Sequence, residues 1–109
     1  MAAQPKPFPG IKPIHVYPDG HAEQDPEHLS IDHKEEALFS TKLSKSDVEV
    51  VFDINGTPFN GDRFPVQAGT ETPSGPLRKG VKPGEQYRYN IRPIKGAGPS
   101  ADPTIIIDQ

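Results

Sequence analysis

Cysteine is missing from all 109 residues, and that absence excludes disulfides, thiolate nucleophiles, iron-sulfur clusters and thiolate metal sites together. Compartment stays open, because exported and cytosolic proteins alike can do without cysteine. Long hydrophobic runs are missing as well. No window approaches the roughly 18 apolar residues of a membrane span, and the N-terminus lacks the apolar block of a secretion signal, so a soluble chain is expected. Hydrophobic residues are only 32% of the total, against 14 prolines and 10 glycines, so some segments are expected to be loop or tail, mostly before residue 27. A basic excess is lacking too: the net charge of −3 argues against general nucleic-acid binding, which needs a surface that neutralises phosphates.

What is present is organised around Val48 to Ile54. Val48, Val50, Phe52 and Ile54 alternate with Glu49 and Asp53, the period of a half-buried strand that needs a second layer to cover it. Tyr87, Tyr89 and Ile91 alternate in the same way with Arg88, Asn90 and Arg92 until Pro93, and this strand is expected to be the layer facing Phe52. Thr104 to Asp108 is a continuous branched run, expected to be covered on both sides. Shorter strand signals lie at Ile14 to Val16, at Leu29 to Ile31, at Ala37 to Thr41 and at Phe64 to Val66. A short helix over Asp32 to Phe39 is the alternative for one of these stretches, but one or two turns without a long apolar stripe are marginal.

Turn signals separate the strands. Pro18-Asp19-Gly20 and Pro83-Gly84 suit tight turns, and Asn55-Gly56 reads as a hairpin turn. Between residues 55 and 86 the prolines interrupt any long strand, which leaves long loops with short rungs. Residues 1–13 read as a proline-rich, extended arm and residues 14–109 as one domain of the commonest size. About seven short strands with regular turns give an all-β sandwich or barrel.

At that point the chain resembles the cupredoxins, the plastocyanin and azurin class of small Greek-key β-sandwiches. The resemblance rests on Asp47-Val48-Glu49-Val50-Val51-Phe52, on Pro58-Phe59 and on Pro83-Gly84-Glu85-Gln86-Tyr87-Arg88-Tyr89, and spans residues 28–109. The chain departs from the family where copper would bind. Phe59 stands where the family places its first histidine after proline, no thiolate lies near Asn90 or Ile91, and residues 92–101 hold neither histidine nor methionine. A type-1 copper centre needs two histidines and a cysteine. The resemblance therefore implies the scaffold without the metal and without a cofactor.

Candidate sites are few. His15, His21, His28 and His33 fall among acids in the first third and could offer imidazole and carboxylate to a zinc, copper or nickel ion, but their spacing matches no known ligand motif. Surface histidines are the simpler reading. No serine sits in a Gly-x-Ser-x-Gly elbow, and Glu35-Glu36 reads as solvated surface rather than a hydrolytic pair. Asp53-Ile54-Asn55-Gly56 lacks the further acids of a calcium loop, Asn55-Gly56-Thr57 is weakened as a glycosylation acceptor by Pro58, and Gly96-Ala97-Gly98 follows no phosphate-cradle pattern. Arg88 and Arg92 beside Tyr87 and Tyr89 could stack a ligand, although inward-facing tyrosines suit a core better.

Charge is uneven along the chain. Residues 19–53 carry ten acids against three lysines, while residues 61–95 carry seven bases against three acids. Pairing across a sheet accounts for this most simply, and a two-faced surface for a charged partner is the alternative. The expectation is a non-enzymatic module that binds another macromolecule, with another protein as the suggested partner, through loops 55–63 and 69–82 or through its charged faces, with metal handling by the four histidines as the second reading. Oligomeric state is left open.

Overall fold

In the computed structural model, which describes residues 10–94 and 102–109, most strands form where apolar residues alternate or cluster. The strands are β1 (Ile11–His15), β2 (Glu27–Ser30), β3 (Glu36–Ser40), β4 (Val48–Val51), β5 (Arg63–Val66), β6 (Glu71–Pro73), β7 (Gln86–Arg88), β8 (Asn90–Pro93) and β9 (Thr104–Asp108). The fold is all-β, and no described segment is helical. None is long and apolar enough to cross a membrane as a helix. Residues 1–9 of the expected arm and the Gly96-Ala97-Gly98 segment lie outside the described residues. The last residues of that arm, from Ile11, already belong to β1.

Among the described residues nine strands replace the expected seven or so, for two physical reasons. The Glu71-Thr72-Pro73 segment has no apolar alternation, yet it pairs with Leu38 to Ser40. The expected single strand from Tyr87 to Arg92 changes neighbours at Tyr89: Gln86 to Arg88 pair with β9, whereas Asn90 to Pro93 pair with β4.

The strands make three sheets, ordered β1-β3-β6, β2-β9-β7 and β5-β4-β8. The β1/β3 and β2/β9 pairs are parallel and the rest antiparallel. Because only Tyr89 separates β7 from β8, the second and third sheets run together through one length of chain. The Tyr89 N–H donates to the Pro103 carbonyl at 3.0 Å, on the β9 side, and the Ile94 N–H donates to the Asp47 carbonyl at 3.3 Å, on the β4 side. The sheets β2-β9-β7 and β5-β4-β8 are thus joined through the β7/β8 segment, and β1-β3-β6 is the third sheet. Outer strands of the third sheet are tied to the other two, where Thr72 Oγ1 donates to the Pro65 carbonyl at 2.7 Å and Lys12 Nζ donates to the His28 carbonyl at 2.8 Å.

One hydrophobic cluster fills the space between them. Phe39 on β3 and Phe52 each contact four other rings in it, the Phe39 centroid lying 5.4 Å from Phe64, 6.1 Å from Tyr89, 6.3 Å from Phe52 and 6.4 Å from Phe59. Phe52 and Tyr89 are both buried and lie 4.8 Å apart, but they do not face each other from opposite layers. Their strands are neighbours in one sheet, Val50 opposite Ile91, and the covering layer brings Phe39 instead. Two other expectations are corrected. The inward row of β4 ends at Phe52, because the strand stops at Val51 and Ile54 turns out to solvent. On β9, Ile105 and Ile107 are buried while Ile106 is only partly covered, so that strand is packed on one face.

The prolines are not confined to loops. Pro13, Pro65, Pro73 and Pro93 lie within β1, β5, β6 and β8, all outer strands of their sheets, and the central strands β3, β4 and β9 contain none. An outer strand needs its N–H groups on one side only, so a proline facing away from its neighbour loses no ladder bond and blunts the open edge. Charges pair across the sheets as expected: Arg63 lies 3.2 Å from Glu49 and Arg92 2.9 Å from Asp53. Such exposed pairs add little stability.

Candidate functional site

Two segments converge over one end of the core. The first is the turn after β2. The Ile31 N–H is held by the Asp108 carbonyl at 2.9 Å, the Lys34 N–H returns to the Ile31 carbonyl at 3.0 Å, and the Glu35 N–H to the Ser30 carbonyl at 3.0 Å. Glu35 is not solvated surface. Its carboxylate accepts from the Ser30 N–H at 2.6 Å and lies 3.4 Å from Lys12, which braces the turn from inside. Gly10 runs so close beneath the turn that a Cβ there would lie 3.0 Å from the His33 carbonyl oxygen.

The second segment is residues 74–85. Ser74 anchors its start by exchanging two hydrogen bonds with the Ala37 backbone: its N–H donates at 2.9 Å and its hydroxyl accepts at 3.0 Å. Leu77 then forms a bridge with the buried Phe59, and the Arg78 N–H donates to the Pro58 carbonyl at 2.8 Å. The Arg78 side chain ties the segment down further. Its Nε donates to the Thr57 carbonyl at 2.7 Å, one terminal nitrogen donates to the Tyr87 hydroxyl at 2.9 Å, and the guanidinium lies 5.9 Å over the Tyr87 ring. The Tyr87 hydroxyl donates to Glu85, which also accepts from the Lys82 N–H, each at 2.8 Å. Those two donors, the Lys82 backbone first, hold the Glu85 carboxyl below its usual range. Burial, then Glu85, pushes the Tyr87 hydroxyl up, so it stays a neutral donor.

Between the segments lies a half-open cleft of about 400 Å3. Its floor is Ile31, Leu77 and Val81, which pack on the core, and its charged groups are Lys34, Arg78, Lys79 and Glu36. Arg78 is committed to the protein, whereas Lys34 and Lys79 are exposed at the mouth. Among the described residues neither of their ammonium groups is ion-paired. The ionisable side chains of the lining are those of Lys34, Glu36, Arg78 and Lys79, set around an apolar floor, so the cleft can attract and seat a group.

The structure places the four histidines with separate partners. His15 ends β1, with its N–H donating to Gln24 at 2.7 Å and its Nδ1 buried without a hydrogen-bond partner. His21 stacks on Tyr17 at 4.3 Å and contacts Asp19 at 2.5 Å. The His21 backbone N–H is the main reason the Asp19 carboxyl is held below its usual range. His28 on β2 contacts Asp108 at 3.1 Å, and the backbone N–H of His33 donates to Ser30 Oγ at 3.2 Å. Among the described residues no three His, Asp or Glu side chains form a cluster able to hold a metal ion.

The other candidate groups have structural partners. Asp53 accepts from Asn90 at 2.8 Å and Arg92 at 2.9 Å. Asn55 donates to the Gln86 carbonyl at 2.8 Å and accepts from the Arg88 N–H at 3.1 Å. Arg88 reaches Asp102 at 2.7 Å, while Tyr87 and Tyr89 turn inward. The Tyr89 hydroxyl is buried without a hydrogen-bond partner, and burial pushes its pKa upward. Sequence reasoning located the 69–82 loop but missed the cleft, because its walls come from Ile31 to Glu36 and Pro76 to Val81, distant in the chain.

Comparison with protein-family models, with curated proteins and with solved structures finds no match for the chain.

Proposed function

We propose that this chain is a non-enzymatic, cupredoxin-like Greek-key module without a type-1 copper site, and that it works by binding another protein through the loop wall at residues 74–82. Two features support the scaffold part. Two joined sheets share one core with the sheet β1-β3-β6, and Phe59, at the position where the resemblance calls for a histidine, is buried against Phe39, Phe52 and Phe64.

The observation that carries the binding part is the cleft: an apolar floor continuous with the core, open to solvent and rimmed by exposed lysines. A binding site needs shape and a few placed charges, and the cleft supplies both. The test is an affinity capture with the whole protein and with a Val81→Asp variant, which sets a carboxylate into the floor. Proteins held by the first and lost from the second are then purified and titrated calorimetrically, with circular dichroism confirming that the variant is folded. A partner binding more tightly than about 100 μM supports the reading. Failure of every purified candidate to bind overturns it.

A further inference from the structure

We infer that the cleft between Ile31 to Glu36 and Pro76 to Val81 takes a peptide segment of one chemical kind, a large apolar or aromatic side chain flanked by acidic residues. This rests on the binding reading above and names the partner that the cleft fits.

The argument is the order of chemistry from floor to mouth. Ile31, Leu77 and Val81 are partly covered and pack against the core cluster, so an apolar group seated on them removes further apolar surface from water. Lys34 and Lys79 are exposed at the mouth, so the charge that complements them must stay at the surface when the apolar group is inside. The occupant therefore enters apolar end first and keeps its anionic groups outside. A side chain projecting from a peptide with acidic neighbours has that shape.

The charge balance points the same way. Three cations and the single carboxylate of Glu36 line the cleft of a chain whose net charge is −3, which makes this a locally cationic spot on an acidic protein. Arg78 is held by Thr57 and Tyr87 and serves as the wall. Lys34 and Lys79 are left to meet a partner. The volume of about 400 Å3 lies at the lower end of ligand-sized pockets, roughly 300–1,000 Å3, and suits one anchoring side chain rather than a large cofactor. The chain's own first nine residues carry Lys6 and no acid, so their charge is wrong for the rim.

The test is an amide-resolved NMR titration of the whole protein with the capped peptide Asp-Asp-Phe-Asp-Asp. Three comparison probes are used: the same peptide with alanine for phenylalanine, its lysine-flanked counterpart, and 3-phenylpropionate. The expected result is saturable shifts at the amides of Ile31, Lys34, Leu77 and Val81, with binding at least about tenfold weaker for the alanine and lysine peptides. Affinity should fall as salt is raised. The double variant Lys34→Glu, Lys79→Glu should weaken the acidic peptide by about tenfold or more with an unchanged unfolding midpoint.

Absence of shifts at the cleft overturns the inference, as does equal binding to the double variant. Tighter binding of 3-phenylpropionate makes the cleft a small-molecule site, and competition by a peptide of residues 1–9 makes it a seat for the chain's own terminus; either result also overturns it. If a purified partner from the capture binds the double variant as well as the wild type, this inference fails while the binding reading stands.

Discussion

Glu85 shows how one side chain can set the shape of a loop that makes a binding wall. Its carboxylate accepts from the Lys82 backbone and from the Tyr87 hydroxyl, and Tyr87 in turn accepts from Arg78. Its pKa in the folded protein is lowered from the ordinary 4.5, so the folded state binds fewer protons than the unfolded chain over that range. The stability it contributes is therefore present above pH 4.5 and is lost as pH falls through the depressed value. A Glu85→Gln variant should unfold at lower temperature than the wild type at neutral pH, and the two should converge in acid. Thermal scans from pH 7 to pH 2.5 check this, and a constant difference across the range counts against it. Phe39 shows the complementary case, in which packing alone decides. It is fully buried and touches four other aromatic rings, so Phe39→Ala should cost roughly 4 kcal/mol in denaturant unfolding.

Among the elements, β7 is an outer strand whose open edge would invite another chain, and Asn55 covers it. The side-chain amide donates to the Gln86 carbonyl and accepts from the Arg88 N–H, as a neighbouring strand residue would. Asn55→Ala should cost about 1 kcal/mol and speed hydrogen exchange at the Arg88 amide by more than tenfold, while the amides of β4 stay protected. Equal exchange in both proteins sinks this role. Sequence alone gave a different role to Asn55-Gly56, a hairpin turn, because the dipeptide carries that local preference. The link from Val51 to Arg63 is too long for such a hairpin, and nothing local says that the amide reaches β7. A continuous branched run revealed β9, and apolar patterning did reveal the stretches that became β2 to β5, β7 and β8 and the end of β1. It missed β6, whose Glu-Thr-Pro has no apolar period, and it counted prolines as interruptions when four of them blunt outer strands.

For the whole molecule, alternation tells which residues face inward but not which layer carries them. Tyr89 and Phe52 were legible as core, while their placement side by side, with Phe39 as the cover, depends on pairings between distant segments. The cleft is hidden for the same reason: Lys34 and Lys79 become neighbours of one opening only after Leu77 has bridged Phe59 and Ile31 has bonded to Asp108. The longest of these dependencies is β9. It is the central strand of its sheet, pairs in parallel with Glu27 to Ser30 and antiparallel with β7, and supplies the fully buried Ile105 and Ile107. Without it β2 and β7 lose their shared neighbour, and the Ile31 anchor of the cleft loses the Asp108 carbonyl. A chain ended after Pro103 should therefore show no cooperative unfolding and no dispersed amide spectrum. The full chain should fold slowly, on the millisecond to second scale of non-local β topologies. A cooperative transition in the shortened chain would mean that β4, β5 and β8 form a self-sufficient core with β1-β3-β6, and that the layer closed by β9 is an addition rather than a requirement.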